Sequence, residues 1–252
     1  MDYLGILLRW LHIVSGIMWV GLLFWSNLVF VPFMGVLDAD GRRKVMAELA
    51  PRSLYFMVSS ALWTWGSGIL LLGLVFYHGQ MLFPSPDQSW TLGAGVMIAV
   101  VFLVFFLYDA LAKSSLGKNL PAFGVVGLIV VAAVAYGMYS WAGFGYRAYQ
   151  IHLGAMFGTV MVMNGMMRMV PAQKKIFAAA KAGTPPDPSL LALITQRSVH
   201  NMYLSVPLVF TMINMHTVIV GEENWWAIIV VMIVAWVFVS WAFGKSVKVK
   251  GL

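Results

Sequence analysis

Histidines are the residues of this 252-residue chain best suited to chemistry: there are five of them, with no cysteine and nine acidic side chains. His12, His152, His200 and His216 all fall within long apolar runs. An ionisable side chain inside a membrane is costly and usually marks a site. The lack of cysteine excludes disulfides, thiolate metal sites, iron–sulfur clusters and c-type haem attachment within this chain. Imidazole, thioether and carboxylate remain as ligands. Haem b suits that inventory, since its iron accepts neutral imidazoles from facing helices and its porphyrin packs against an apolar wall. The 18 methionines and 11 tryptophans could build such a wall, although membrane core and interfacial belt account for most of them.

The elements that must carry these histidines are membrane spans. The chain is 61% hydrophobic and 10% charged, against about a quarter charged for a soluble domain. Seven apolar spans are expected, at 4–33, 54–77, 91–112, 121–142, 148–170, 198–220 and 224–243. The first is too long for a cleaved signal peptide and lacks a cationic segment before it, so it is expected to be retained. Polar connections such as "DADGRRK", "PSPDQ", "AKSSLGKN" and "AGTPPDPS" punctuate the runs. Of 16 basic residues, 14 lie on alternate connections. The rule that such loops face the cytoplasm puts the N-terminus outside and the C-terminus inside. The formal charge of +7 then reads as a topology signal, and no nucleic-acid partner is expected. The expected architecture is an all-α polytopic bundle, residues 1–252 forming one integral-membrane domain.

That topology sorts the histidines by depth. His12, His152 and His216 fall in the outer half on three different spans, and His200 near the inner end of the sixth. His78, at the outer end of span two, is expected at the interface. His200 and His216 are 16 residues apart, which on an ideal helix is about 24 Å and about 160° of rotation. Pro207 softens the angle but not the distance, so the two cannot share one site. Arg9 and Arg147 also fall near the outer face, either reaching the headgroups or offering cations to haem propionates. Gly5, Arg9, His12, Gly16, Trp19, Leu23 and Ser26 share one stripe of span one. Gly154 and Gly158 form a small-residue step beside His152. Asp109 has Lys113 as an i,i+4 partner.

Several stretches resemble the membrane domain of the bacterial membrane-bound urate oxidases, in which a helical domain precedes a cytochrome c domain. They are "RWLHIVSGIMWVG" from Arg9, "TWGSG" from Thr64, "YDALAKSSLG" from Tyr108, "RAYQIHLGAMFGTVMVMN" from Arg147, "AGTPPDP" from Ala182 and "RSVHNMYLSVPLVFTMINMH" from Arg197. The resemblance departs at two points. The first connection, "GVLDADGRRKVMAELAPRS", contains no histidine, and no Cys-x-x-Cys-His is present.

The expected function is that of a membrane-integral b-type electron-transfer protein in a bacterial cytoplasmic membrane. Two of His12, His152 and His216 would ligate haem iron, with Arg9 and Arg147 near the propionates. His200 would hold a second haem, or line a quinone or proton site with Asn201 and Tyr203. A separate c-type cytochrome or respiratory-complex subunit would exchange the electrons. The alternatives are a urate oxidase-like oxidoreductase working with a separate cytochrome, and a cofactor-free accessory subunit whose histidines only bridge helices.

Overall fold

Long apolar runs in a chain that meets no water must satisfy their backbone groups internally, and helix is the way one segment does so alone. A computed structural model describes residues 2–214 and 224–249, and every regular element among them is helical. The helices are α1 (Asp2–Trp25), α2 (Val31–Val36), α3 (Ala39–Leu71), α4 (Leu92–Lys113), α5 (Leu120–Tyr136), α6 (Tyr146–Asn164), α7 (Val170–Ala182), α8 (Pro188–Asn214) and α9 (Ala227–Ser246). Four π-helical segments continue them, at Ser26–Phe30, Leu72–His78, Gly137–Trp141 and Gly165–Met169.

Six helical stretches among the described residues are long and apolar enough to cross a membrane: Tyr3–Val36, Ala39–His78, Leu92–Lys113, Leu120–Trp141, Tyr146–Ala182 and Ala227–Ser246. They correspond to six of the seven expected spans. The remaining one, 198–220, coincides with α8 up to Asn214, and its last residues lie outside the described ones.

Two connections expected to be polar loops are helical instead. In the first, the Asp38 carboxylate accepts the Gly41 N–H at 2.7 Å, capping α3 fifteen residues before its span was expected to begin. Arg43–Asp40 and Arg52–Glu48 pairs then line its exposed turns. In the second, α7 buries Ala172, Ile176 and Phe177, a 3.6-residue stripe. Ile176 and Phe177 pack with Ala50 against Phe30, Met46, Leu54, Leu190 and Ile194. Only "AGTPPDP" remains a turn: Gly183, at φ +71°, ends α7, and Asp187 accepts the Ser189 N–H at 2.8 Å to open α8.

The described residues gather into two compact units. One comprises Met1–Ser67, Met161–Leu204 and Val237–Leu252, the other Gly68–Val160 and Ser205–Trp236, as far as these are described. Within the second, α4 packs against α5 and the π-helical Gly137–Trp141. Thr91 caps α4 and Asn119 caps α5, each accepting an N–H of the first turn.

Candidate functional site

In the first unit His12 is held by the motif "TWGSG". Its Nδ1 lies 2.8 Å from the Thr64 carbonyl oxygen and 3.2 Å from Ser67 Oγ. A carbonyl only accepts, so Nδ1 carries the proton and donates it. In the neutral ring the lone pair then belongs to Nε2, which makes no hydrogen bond among the described residues. Around the imidazole, the Ser15 hydroxyl donates to the Leu11 carbonyl at 2.6 Å, and Thr64 Oγ1 sits 3.0 Å from Ser15 Oγ. Gly16 faces the Thr64 methyl, which a Cβ there would meet at 3.6 Å. The expected stripe of α1 holds in that Gly5, Trp19 and Leu23 are buried and His12 is half-buried, but Arg9 is exposed.

The same unit contains a buried polar cluster around α8. Arg197, counted from sequence as a loop cation, is fully buried because α8 begins nine residues before it. Its guanidinium donates to Asn164 Oδ1 at 3.4 Å, and Asn164 donates to Asn201 Oδ1 at 2.9 Å. Asn201 in turn donates to the Met161 carbonyl at 3.2 Å. His200 is buried on α8 three residues after Arg197. The Ser198 hydroxyl donates to the buried Asn27 at 3.0 Å. Tyr203, grouped with His200 and Asn201 in the sequence, shares a 2.8 Å hydrogen bond with Ser240 on α9. Asn27 and Asn164 had a legible signal, an isolated carboxamide within an apolar run, where a polar group must find a partner.

In the second unit His152 is fully buried. Its Nδ1 donates to the Ala148 carbonyl one turn back at 2.7 Å, and its Nε2 lies 3.0 Å from the Tyr77 hydroxyl. Rings of Phe144, Tyr77 and Phe76 surround it at centroid distances of 5.0, 5.8 and 6.1 Å. Tyr77 and Phe76 both come from the π-helical Leu72–His78, whose wider turn carries adjacent residues toward one side chain. Beyond His152, the expected small-residue step brings α6 onto α8. A Cβ on Gly154 would meet Thr211 Oγ1 at 2.6 Å, whereas one on Gly158 would meet Leu208 Cδ1 at an ordinary 3.4 Å. At the start of α6, buried Asn214 donates to the Tyr146 hydroxyl.

The remaining sequence candidates sort simply. Arg147 and His78 are exposed. Asp109 is buried and pairs with Lys113 at 2.7 Å. His216 lies outside the described residues. His12 and His200 belong to the first unit and His152 to the second. Among the described residues no three His, Asp or Glu side chains form a group that could hold a metal ion.

Residues 35–250 match the urate oxidase N-terminal family. The chain belongs to that family. No curated protein and no solved structure matches it. The matched stretch takes in "TWGSG", His152 and the whole of α8, so the Thr64 and Ser67 partners of His12 lie within it. Residues 1–34, with Arg9 and His12, precede it.

Proposed function

We propose that this member of the urate oxidase N-terminal family is a multi-pass electron-transfer protein of a bacterial cytoplasmic membrane that holds a b-type haem through His12. The observation that carries the reading is the state of that imidazole. Metal-ligating histidines characteristically donate one ring N–H to a carbonyl, which fixes the tautomer and turns the other nitrogen's lone pair to the metal. His12 makes that bond to Thr64, and its Nε2 makes no hydrogen bond among the described residues.

His152 fits an iron less well, because both its ring nitrogens are engaged and the Tyr77 hydroxyl would have to leave Nε2 first. His216, outside the described residues, is a further candidate haem ligand. His200 is assigned no iron, since the buried guanidinium three residues before it on α8 would place like charge near a ferric centre. With Arg197, Asn164 and Asn201 it forms a polar site suited to proton handling or to a quinone. A bound haem would supply one-electron chemistry. The chain's own part is to orient His12, exclude water with apolar helices, and offer the exposed Arg9 and Arg147 to acidic groups at the surface. The partner is a c-type cytochrome or a respiratory-complex subunit outside the membrane.

Pyridine-haemochrome analysis of the purified protein tests the reading directly. The wild type should give a b-type reduced spectrum, and His12→Ala should lose most of the haem while remaining folded. A colourless wild type, or full haem content in His12→Ala, sinks it. Family membership favours a second reading, oxidation of urate with electrons passed to a cytochrome. Urate-dependent reduction of added cytochrome c would support that, and inertness toward urate with haem bound would count against it.

A further inference from the structure

Three backbone irregularities converge on one small cavity in the second unit. Phe76 and Tyr77 line it from the π-helical Leu72–His78, with Gln80, Phe83, Gln88 and Trp90 also in its wall. Gln80 is the non-glycine residue with positive φ, +55°, among those described. Gly143, at φ +72°, stands where any Cβ would lie 2.8 Å from Gln88 Nε2, so the glycine makes room for that carboxamide. Left-handed backbone at a residue with a side chain costs about 1–3 kcal/mol and persists where surrounding structure enforces it, commonly at ligand sites. Here the enforcement is visible: the Met81 N–H donates to the Phe76 carbonyl at 3.1 Å and the Gly145 N–H to the Leu82 carbonyl at 3.0 Å.

Size and lining limit the occupant. The cavity volume is about 90 Å³, room for about three waters, and exposed Gln80, Gln88 and Trp90 leave it open on one side, so a single ring can lodge there with its substituents outside and a porphyrin cannot. No charged side chain lines it, so no counter-charge there would hold an ion. Four aromatic residues offer faces and edges to a planar ring, and two carboxamides offer both donors and acceptors.

Tyr77 sets the polarity of the ligand. The Nδ1–H of His152 is committed to the Ala148 carbonyl, and an imidazole with no exposure inside three aromatic rings is neutral. Its Nε2 therefore accepts, and the Tyr77 hydroxyl is the donor across the 3.0 Å between them. With its proton spent on His152, Tyr77 has only lone pairs left for a ligand. We propose that this cavity binds a small, uncharged, planar ring bearing an O–H or N–H donor, such as the ring of a quinol. The Tyr77–His152 pair makes the site prefer that donor-bearing reduced ring to its oxidised quinone. The inference uses the second unit alone and does not depend on His12 or on haem.

Isothermal titration of the full chain in lipid nanodiscs, with empty nanodiscs as control, reads the preference. The probes are 2,3-dimethoxy-5-methylhydroquinone under anaerobic reduction, the corresponding quinone, and the hydroquinone carrying one isoprenoid unit. The hydroquinone should bind about tenfold more tightly than the quinone, the worth of one net hydrogen bond. Tyr77→Phe, which keeps the ring and removes the oxygen, should abolish that preference. Gln88→Leu, on an exposed loop, should weaken both forms and leave the preference intact. Tighter binding with the isoprenoid unit assigns a lipid-borne ring, and equal or weaker binding assigns a water-soluble one. Absence of binding by both ring forms, equal affinity for them, or a preference that survives Tyr77→Phe overturns the proposal. A haem-free preparation that still discriminates the two forms would sink the haem reading and leave this one standing.

Discussion

At the scale of single residues, the chain spends its few polar groups in the membrane on specific partners. Asp109 shows the rule in its simplest form: a carboxylate with 8% side-chain exposure meets the Lys113 ammonium at 2.7 Å one helical turn away. Lys113→Met should leave that charge nearly buried without its cation and destabilise the protein by about 1–3 kcal/mol. Thermal unfolding in detergent measures it, and adding Asp109→Asn should recover much of the loss. Full stability in Lys113→Met would show that the pair contributes nothing. The spacing of this pair is local, so sequence alone reveals it. Thr64, which meets His12, and Tyr77, which meets His152, are 52 and 75 residues away in the chain, and no local pattern announces them.

At the scale of elements, close approach and capping decide which helices form and meet. α6 reaches α8 through Gly154, where a Cβ would stand 2.6 Å from Thr211 Oγ1 and 2.8 Å from Met212 Cε. Gly154→Ala should cost about 1–3 kcal/mol through overpacking, and Gly158→Ala, with 3.4 Å to its nearest neighbour, much less. Equal melting temperatures for the two variants would contradict that contact geometry. The start of α8 depends on Asp187, whose carboxyl sits below its ordinary value of 3.8 because the Ser189 side chain and N–H both hydrogen-bond to it. A depressed carboxylate stabilises the fold above its ordinary range, and that contribution fades as pH falls through the lowered value. Asp187→Ala should therefore speed amide exchange over residues 189–191 at neutral pH, with the difference from wild type shrinking in acid. A difference that stays constant with pH would assign the effect to something other than the charged cap. Sequence marks these turns through Gly, Pro and Asp, but it places helix starts too late at α3 and α8. The mean hydropathy of a window falls wherever charges line one face, even when capping and a buried stripe keep the segment helical.

For the whole molecule, topology is the prediction that matters most. The natural absence of cysteine makes it accessible through single substitutions. Ser85→Cys, between α3 and α4, should react with an impermeant maleimide from the outer side of intact cells. Lys44→Cys, near the start of α3, should react only after permeabilisation. The reverse pattern would invert the orientation drawn from the basic residues. Sequence by itself determined the all-helical membrane class, the family, and six of the spans within a few residues at most boundaries. Those follow from composition, motif and hydropathy, which are properties of consecutive residues. Only the tertiary structure decided that Arg197 is buried, that one nitrogen of His12 makes no hydrogen bond among the described residues, and that both of His152 are engaged by Ala148 and Tyr77. Those outcomes depend on the register of helices far apart in the chain and on π-helical turns that shift it. An apolar run carries no record of the face its histidine will present, or of what it will meet.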